Sequence, residues 1–491
     1  APTAKLATLF EQAPATDENE RLLVAAGVMS TYVTVGQRPA PRQARKFSMP
    51  ETEARSECSC LAAQLLARVL REEPKLLPEW CAAADAAGCR APDEQIPAIL
   101  DAIAQNHIGL DPELALRLVG SRGAWLAQLN DRWQVAKSAE DAEANWRHGT
   151  PPQRFQALRT MRQRNPDTAR NWIDESWSSE APDERMKIVA LLQDGLSSAD
   201  EEFLETVLDD KRKTVRDAAA ELLARLPQAQ YCRRMTERSV AWLVLGQRGV
   251  LRRKSTFAIS VPDDLDASMI RDGLQVRAAR GGLGAKAQIL AQALAATPLP
   301  TWDGDPETLI ASAGKSDWRD ALLWGWGQAS ARQANTEWCV ALSREMNTII
   351  ATERKDSSTA FVWEPCLEEM AKVLPALHLE PLALNGLTKR SNRNAIRILK
   401  LCQHSWSEDF SRKVLHWLRA ELTARDAVYN LELRNLARTF LPFHMSPSLA
   451  EEAAANWPRE SEAWTKGLEE TIGALLNVLR LRQAYLRELR K

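Results

Sequence analysis

Apolar residues recur along most of the chain at helical spacing, and the pattern is clearest between Thr150 and Pro227. In the best-patterned helix, Lys213 to Leu226, they fall at i, i+3, i+4, i+7, i+8 and i+11: Val215, Ala218, Ala219, Leu222, Leu223 and Leu226. Such a stripe is typical of an amphipathic helix with one buried face. Pro227 follows directly and predicts the end of the helix.

The same pattern recurs every 31 residues. Arg154, Arg185 and Arg216 lie at equivalent points near the starts of three helices. Apolar residues follow each arginine at the third, fourth and seventh positions: Ala157, Leu158 and Met161; Ile188, Val189 and Leu192; Ala219, Ala220 and Leu223. A fixed period of this size predicts an all-α repeat fold, in which each unit buries its apolar face against its neighbours.

Capping signals indicate where several of these helices begin. Thr150-Pro151-Pro152-Gln153 and Ser198-Ala199-Asp200-Glu201 have the spacing of capping boxes. Asn165-Pro166 places a capping residue before a proline at the first helical position. The units are therefore predicted to be helix pairs joined by short turns.

The segment from Leu208 to Ala219 resembles a HEAT repeat, since an aspartate in the turn is followed by Val-Arg and small apolar residues. The resemblance implies that Asp210 and Arg216 bridge adjacent units. The period is shorter than the usual HEAT length, so we expect compact, HEAT-like units in an α-solenoid.

The remaining chain also reads as helical, with predicted helices that include Glu51 to Leu70, Trp318 to Gln333 and a long one from about Glu469. The exception is the alternating, β-branched run from Ser255 to Pro262, which predicts a small β-hairpin between residues 243 and 262. Gly36 to Pro50 has the composition of an exposed loop.

These patterns divide the chain into four parts. They are an N-terminal helical domain at 1–145, a HEAT-like repeat core at 146–240, a linker with the hairpin at 241–284, and a C-terminal helical domain at 285–491. Gly281, Gly282 and Gly284 are interpreted as a hinge at the end of the linker.

Composition excludes some classes of protein. The chain has 491 residues, a formal net charge of −1, 45% hydrophobic and 26% charged residues. With so small a net charge, no overall electrostatic field attracts the protein to nucleic acid or to an anionic membrane. No apolar run reaches the length of a membrane span. The first residues lack the apolar segment of a signal peptide. We expect a cytoplasmic protein whose eight cysteines stay reduced.

Between about residues 120 and 227 the chain resembles one uncharacterised bacterial family. The motifs that carry the resemblance are Gly120-x-Arg122-Gly123-x-Trp125-Leu126-Ala127, Gly149-Thr150-x3-Arg154, Leu158-Arg159-x5-Pro166-x2-Ala169-Arg170, Leu196-Ser197-x2-Asp200-Glu201-x-Phe203-Leu204-Glu205, Leu208-Asp209-Asp210, Val215-Arg216 and Leu222-Leu223-Ala224-Arg225-Leu226-Pro227. Members look like neighbours of MoxR-type AAA+ ATPases, von Willebrand factor A-domain proteins and SWIM zinc-finger proteins. The resemblance implies a helper in an ATPase-driven assembly, and it supplies no catalytic residue.

Candidate chemistry is sparse. Cys58-x-Cys60, with Cys81 and Cys89, lacks the C-x2-C spacing of structural zinc sites and falls on a predicted helix, so small buried cysteines are the favoured interpretation. Gly281 to Lys286 lacks the Gly-Lys-Ser/Thr ending of a phosphate loop. No catalytic spacing occurs, and we predict no catalytic residue, no cofactor and no metal.

Two features point to a binding function. Trp318, Leu322 and Trp326 form a core-type stripe, and Trp324 lies off it, where it can face a partner. Arg154, Arg185 and Arg216 form a periodic ladder, interpreted either as a partner surface or as arginines paired with turn aspartates. The predicted function is a non-enzymatic scaffold or adaptor for a protein partner, such as an AAA+ ATPase or a von Willebrand factor A-domain protein.

The alternative is a HEAT-like nucleic-acid-binding or DNA base-repair protein. Twelve basic residues lie between residues 211 and 254: Lys211, Arg212, Lys213, Arg216, Arg225, Arg233, Arg234, Arg238, Arg248, Arg252, Arg253 and Lys254. Such a run fits a phosphate-binding face, and it also fits a ladder of ion pairs between repeats.

Overall fold

The computed structural model describes residues 8, 17–36, 52–105, 107, 109–133, 139–248, 254–276, 283–352, 359–387, 392–422, 430–457 and 466–491. It comprises two compact units, Ala1–Thr52 and Glu53–Lys491. The first contains helix α1, Glu18–Gly36. The spacing of Leu6, Leu9 and Phe10 also predicts a helix, and these three residues lie outside the described ones. The predicted loop lies outside them too, apart from Gly36 at its start.

In its described residues the second unit consists of helices and one β-hairpin, which confirms the predicted all-α class. Up to the hairpin the helices are α2 Cys60–Glu72, α3 Leu77–Ala86, α4 Ile96–Ala104, α5 Pro112–Leu129, α6 Ala139–His148, α7 Pro151–Arg164, α8 Pro166–Ser176, α9 Pro182–Leu191, α10 Glu201–Val207, α11 Lys213–Leu223 and α12 Gln230–Trp242. After it come α13 Ala267–Arg271, α14 Ala285–Ala295, α15 Pro306–Ala313, α16 Arg319–Arg332, α17 Thr336–Thr352, α18 Thr359–Val373, α19 Ala376–Leu387, α20 Asn392–Leu401, α21 Glu408–Leu422, α22 Leu431–Thr439, α23 Leu441–His444, α24 Ala450–Ala454 and α25 Lys466–Leu489.

The hairpin lies where the alternating sequence predicts it. Strands β1, Leu243–Arg248, and β2, Lys254–Ile259, pair antiparallel, with Leu243 opposite Ile259. Alternate residues of the two strands, Leu245 and Phe257 among them, pack against the core.

Helices α7 to α12 form three consecutive pairs in the region of the 31-residue period. Each pair buries the predicted stripe, with Leu158, Ile188 and Leu223 fully inaccessible to solvent. The first pair begins as predicted, since the N–H of Thr150 donates to the Gln153 side chain at 2.9 Å and the N–H of Thr168 donates to that of Asn165 at 3.2 Å.

Three predicted element boundaries are wrong. Helix α2 begins at Cys60 rather than near Glu51, because the Ser59 hydroxyl accepts from the N–H of Ala62 and so caps the helix there. Residues just before it are extended, and Glu57 forms an isolated bridge with Arg90. The prediction that Cys58 lies on a helix is therefore wrong.

The second error concerns the capping box at 198–201. The capping residue is Ser197, one position earlier, and its backbone N–H donates to Asp200 at 2.9 Å. Asp200 takes this role because the buried side chain of Arg162 and the partly buried one of Arg170 fix its carboxylate. The third error is small: helix α11 ends at Leu223, one turn before the predicted Leu226.

The Gly120 motif of the resemblance has a structural explanation. Gly120 has φ of 61° and kinks α5, and a Cβ atom there would overlap the carboxylate of Glu53. That carboxylate accepts from the N–H groups of Ser121 at 3.0 Å and Arg122 at 2.8 Å. Glu53 therefore caps the second half of the helix. Burial raises its pKa, but the hydrogen bonds from Arg122 and Ser121 outweigh burial and hold the pKa below its usual value.

Two buried apolar clusters share helix α25. One cluster runs from Ala142 to Leu479 and the other joins residues 58–119 to Val478, Leu481, Tyr485 and Leu489. The larger cluster contains residues on both sides of two predicted domain boundaries, 240/241 and 284/285. The division of the chain into four parts stays a prediction. Among the described residues, no helix has the length and apolarity that a membrane crossing needs.

Candidate functional site

Arg154, the first arginine of the ladder, binds partners within the chain. Its guanidinium donates to Glu180, whose side chain is 4% exposed, and its Nε donates to the carbonyl of Trp146 at 3.0 Å. It also lies 4.5 Å from the centre of the Trp146 ring. Burial raises the pKa of Glu180, but the hydrogen bonds from Arg154 outweigh burial and hold that pKa below its usual value.

The second rung repeats this arrangement one unit later. Arg185 donates to Asp210 at 2.8 Å and lies 5.2 Å from the centre of the Trp177 ring. The third rung differs, because Arg216 donates to the carbonyl oxygen of Asp210 at 2.7 Å rather than to a carboxylate. The carboxylate that bridges neighbouring units is therefore that of Asp210, and its arginine is Arg185.

The tryptophans of the ladder follow the same period, which the sequence analysis did not single out. Trp146 and Trp177 are 31 residues apart and each precedes its arginine by eight residues, while Leu208 takes the third position. A tryptophan, an arginine and a carboxylate thus form a recurring triad in the first two units. The role of the arginines in partner binding stays a prediction.

A fully buried arginine, Arg162, ties the first two helix pairs together. Arg162 and Asp200 are both 0% exposed, and their side chains are joined by hydrogen bonds of 2.9 and 3.1 Å. The guanidinium also donates to the carbonyls of Leu192, Asp194 and Gly195. Because all three guanidinium nitrogens donate hydrogen bonds and Asp200 carries the opposite charge, the buried charge is tolerated.

Several residues of the basic stretch at 211–254 also pair within the chain. Arg234 and Arg238 donate to Asp272 at 2.8 and 2.7 Å, and Arg234 donates to Glu205 at 3.1 Å. Burial lowers the pKa of Arg234, but the hydrogen bonds to Asp272 outweigh burial and hold that pKa above its usual value. By contrast, Lys211, Arg212 and Lys213 lie in a turn before and at the start of α11, and all three are exposed.

A groove of about 790 Å³ opens between α11, the first helix of the third pair, and helices α14 and α16. Its floor is made of small side chains, those of Ala220, Ala224, Ala291 and Ala295. Because alanine leaves space that a larger side chain would fill, these four positions create the concavity. The volume lies within the range of roughly 300–1,000 Å³ that is usual for ligand sites.

Polar and aromatic side chains form the walls. Trp324, Gln328 and Arg332 follow one another at four-residue spacing along α16. Asp217 and Glu221 face the groove from α11 at the same spacing, which puts both carboxylates on one side of that helix. Trp326 of the predicted core stripe is 0% exposed, whereas Trp318 and Trp324 are both partly buried, and the role of Trp324 in partner binding stays a prediction.

One end of the groove is crossed by an ion pair. Arg332 donates to Glu221 from Nε at 3.1 Å and to the carbonyl of Ala295 at 2.8 Å. Tyr231 lies beside it and donates to the carbonyl of Asp272 at 3.1 Å. Burial raises the pKa of Tyr231, so its hydroxyl stays protonated.

Two glutamine side chains of α14 bind backbone groups next to the groove. The amide of Gln292 accepts from the N–H of Gln275 at 3.2 Å and donates to the carbonyl of the same residue at 2.7 Å. Gln288 donates to the carbonyl of Leu283 at 2.9 Å. A glutamine amide carries a donor and an acceptor side by side, and those of Gln292 both bind the backbone of one residue, Gln275.

The cysteines are mostly buried, as expected for small apolar side chains. Burial raises the pKa of Cys58, Cys81, Cys232 and Cys402 to about 12 and that of Cys339 to about 11, and it also raises the pKa of Cys89 and Cys366. Metal ligation needs a thiolate, which burial disfavours. Among the described residues, no group of three or more His, Cys, Asp or Glu side chains could hold a metal ion.

Lys286, the lysine next to the glycine-rich segment, pairs with Asp263 at 2.7 Å. Gly284 directly precedes helix α14, whereas Gly281 and Gly282 lie outside the described residues.

Sequence reasoning found Trp324 and missed the rest of the groove. A usable signal was present in α14, where Gln288 and Gln292 alternate with Ala291 and Ala295 on one face. Polar amides beside alanines on an otherwise apolar helix are typical of a surface left open. The opposite wall could not be found this way, because its residues come from a distant part of the chain.

Comparison with known proteins gives one result. The model of a family of unknown function, DUF5691, matches residues 1–489. No curated protein matches the chain. Because the family match covers almost the whole sequence, the chain belongs to the DUF5691 family.

Proposed function

We propose that the protein is a non-enzymatic helical-repeat scaffold or adaptor that binds a protein partner in the groove between α11, α14 and α16. The observation that carries the proposal is the groove itself, with a volume of about 790 Å³, an alanine floor and a half-buried tryptophan in its wall. Helical repeats bind partners along concave surfaces, and tryptophan is enriched among the residues that dominate binding energy.

The partner we propose is a component of a MoxR-type AAA+ ATPase system, either the ATPase or a von Willebrand factor A-domain protein. The support is the resemblance of residues 120–227 to a family that accompanies such proteins. The cytoplasm, where such ATPases work on soluble assemblies, is the proposed location.

Capture of a purified ATPase or von Willebrand factor A-domain protein from the same organism tests the proposal. The wild-type chain is immobilised beside Trp324→Ala and beside Leu377→Ala, a substitution at a leucine that is 76% exposed and does not line the groove. We expect Trp324→Ala to lose capture by at least about tenfold, as a hot-spot residue does, while Leu377→Ala retains it. Failure of the wild type to bind any of these proteins contradicts the proposed partner.

The second candidate is nucleic-acid binding by the exposed turn of Lys211, Arg212 and Lys213. Its support is weaker, because Arg234 and Arg238 are already paired with carboxylates. A salt titration of binding to duplex DNA separates the two candidates. Contact with Z phosphates lowers log K with log salt at a slope of about −0.9Z, whereas an absence of binding at low salt eliminates this candidate.

A further inference from the structure

We propose that the exposed side of helix α25 binds an acidic helix of a partner protein. Arg480 and Arg487 pair with two carboxylates of that helix, and an apolar side chain between the carboxylates packs over Ala484. None of these residues lines the groove, so the inference goes beyond the proposed function and adds a second binding surface to the adaptor.

Helix α25 is buried on one side and presents a single stripe to solvent on the other. Leu481 and Tyr485 belong to the smaller buried cluster, whereas Arg480, Ala484 and Arg487 are exposed. Because these exposed positions are four and three residues apart, they lie on one side of the helix. A rise of about 1.5 Å per residue separates the Cα atoms of the two arginines by roughly 10 Å.

The start of α2 lies beside the end of this stripe. The hydroxyl of Ser59, which caps α2, donates to Glu488 of α25 at 2.9 Å, and the two helices pack against each other. Leu61, in the first turn of α2, is 49% exposed, so the surface is not purely polar. Helices α3, α22 and α23 also pack against α25, and all of these helices are described over their full lengths.

The arginines of the stripe are not neutralised within the described chain. Neither Arg480 nor Arg487 forms a side-chain hydrogen bond or ion pair with a described residue. Residues 478–491 contain five basic side chains and one acid, Glu488. That acid is already bound by Lys491 at 2.6 Å. The surface therefore carries an excess of positive charge, although the whole chain has a formal net charge of −1.

The helix dipole explains only part of this charge. Cations in the last turn of a helix are favourable beside its partial negative charge, which accounts for Arg487. Arg480 lies more than two turns before the end of α25 at Leu489, where the effect of the dipole has faded. Its exposure without a carboxylate partner is better explained by a partner from outside.

The spacing of the stripe favours a helix as that partner. In an antiparallel helix, carboxylates at positions i and i+7 face Arg487 and Arg480, and position i+3 faces Ala484. The small alanine leaves room there for a larger apolar side chain, as in other helices that dock by their apolar face. Each guanidinium can bind a carboxylate through two parallel N–H groups.

Other anionic partners fit the stripe less well. A single-stranded nucleic acid gains affinity from aromatic side chains on which its bases stack, and the exposed side of α25 carries none. A membrane surface takes up several large apolar side chains, and Leu61 is the large one at this end of α25.

The test is binding of labelled peptides to the full chain, followed by fluorescence anisotropy at low salt. The probe is an alanine-rich helical peptide with fluorescein at its N-terminus and the central segment Glu-Ala-Ala-Leu-Ala-Ala-Ala-Glu. A second peptide has glutamine in place of both glutamates, and a third has the second glutamate moved two positions towards the C-terminus. We expect the first peptide to bind about tenfold more tightly than the other two, because each exposed ion pair contributes up to about fivefold.

Three variants locate the binding, and a fourth is the matched control. Arg480→Gln and Arg487→Gln should each lower the affinity for the acidic peptide by up to about fivefold and leave that for the glutamine peptide unchanged. Ala484→Gln fills the space of the leucine and should weaken both peptides about fivefold. Arg164→Gln, which removes an exposed arginine at the end of α7, should change neither. Melting temperatures confirm that each variant is folded.

Equal affinity for the acidic and glutamine peptides overturns the inference. Equal affinity for the two acidic peptides also overturns it, because the surface would then attract charge without reading helical spacing. Duplex DNA and vesicles of phosphatidylcholine with phosphatidylserine are tested alongside. If either binds the wild type, loses affinity in the double variant Arg480→Gln, Arg487→Gln, and the acidic peptide does not bind, the surface belongs to a nucleic acid or a membrane and the proposed helix is wrong.

Discussion

Two buried arginines hold two different kinds of junction in this protein. Arg162 joins neighbouring helix pairs of the repeat stack through Asp200, which is 38 residues away. Arg482 joins α25 to α3 through Glu79, which is 403 residues away, with hydrogen bonds of 2.6 and 2.8 Å. Both guanidiniums also bind backbone carbonyls, in the second case those of Pro442 and Met445.

The difference lies in what surrounds each acid. Asp200 is fully buried, whereas the side chain of Glu79 is 28% exposed and also accepts from the hydroxyl of Tyr485. The local junction is therefore the drier one, and the long-range junction keeps some access to water. Removing the arginine should therefore lower the stability of the protein by different amounts, and loosen different helices, at the two junctions.

The largest effect is expected at Arg162. Arg162→Met leaves the buried carboxylate of Asp200 with Arg170 and with the backbone N–H and hydroxyl of Ser197 as donors, and losing one partner of a buried ion pair costs about 3–5 kcal/mol. Arg159→Met on the same helix, where the pair with Asp194 is 3.6 Å and largely exposed, should cost under about 1 kcal/mol. Urea unfolding monitored by circular dichroism measures both. Equal losses in the two variants would mean that the Arg162 network is not built as described.

The next effect is expected at Arg482. Arg482→Met leaves the carbonyls of Pro442 and Met445 without a donor, at a cost of about 2–3 kcal/mol. Unlike the first variant, it should lower hydrogen-exchange protection in α2 and α3 while the repeat helices keep theirs. Arg487→Met, an exposed position on the same helix, is the control. A uniform loss of protection would contradict the separation of the two junctions.

A smaller effect is expected from charge reversal in the ladder. Arg185→Glu places a second carboxylate against Asp210, which is 4% exposed, and should cost about 1–2 kcal/mol. Lys213→Glu, on an exposed turn, is the control. Melting and capture of an ATPase component are measured together. Lower melting with capture retained by the folded fraction makes the ladder purely structural, and lost capture with unchanged melting makes it a recognition surface.

The smallest effect is a pH dependence confined to the long-range junction. His444, which directly precedes Met445, packs against Trp406 and Phe440. Burial lowers its pKa below the ordinary 6.5, and the charge of Arg482 lowers it further, although the hydrogen bond to the His404 backbone opposes the shift. The unfolded chain therefore binds a proton more readily, so stability is full above pH 6.5 and falls as the pH drops through the folded pKa. Thermal melts from pH 7.5 to 5.5 should show this slope, and His444→Gln should flatten it. An unchanged slope in the variant would assign the pH dependence to other groups.

The part of the fold that the sequence predicts is the part in which neighbours in sequence are neighbours in space. The stripe around Leu222 and the hairpin at 243–262 depend on local periodicity, and both are confirmed. The predicted helix boundaries were wrong where a residue distant in sequence decides the local geometry, as Arg162 does for the cap at Ser197. The same reason explains the groove: Trp324 could be noticed on its own helix, but nothing in its spacing shows that Asp217 lies across from it.

The long-range junction also sets an order of events during synthesis. The apolar residues of α2 to α5 complete their cluster only with Leu481, Tyr485 and Leu489 of α25. A ribosome that adds roughly 5–20 residues per second needs on the order of 20–80 s to cover the 403 residues between Glu79 and Arg482. During that interval the first helices are made but lack the side chains that cover them, and exposed apolar surface of this kind promotes aggregation. We therefore expect the apolar faces of α2 to α5 to stay partly uncovered in the nascent chain until α25 has been synthesised.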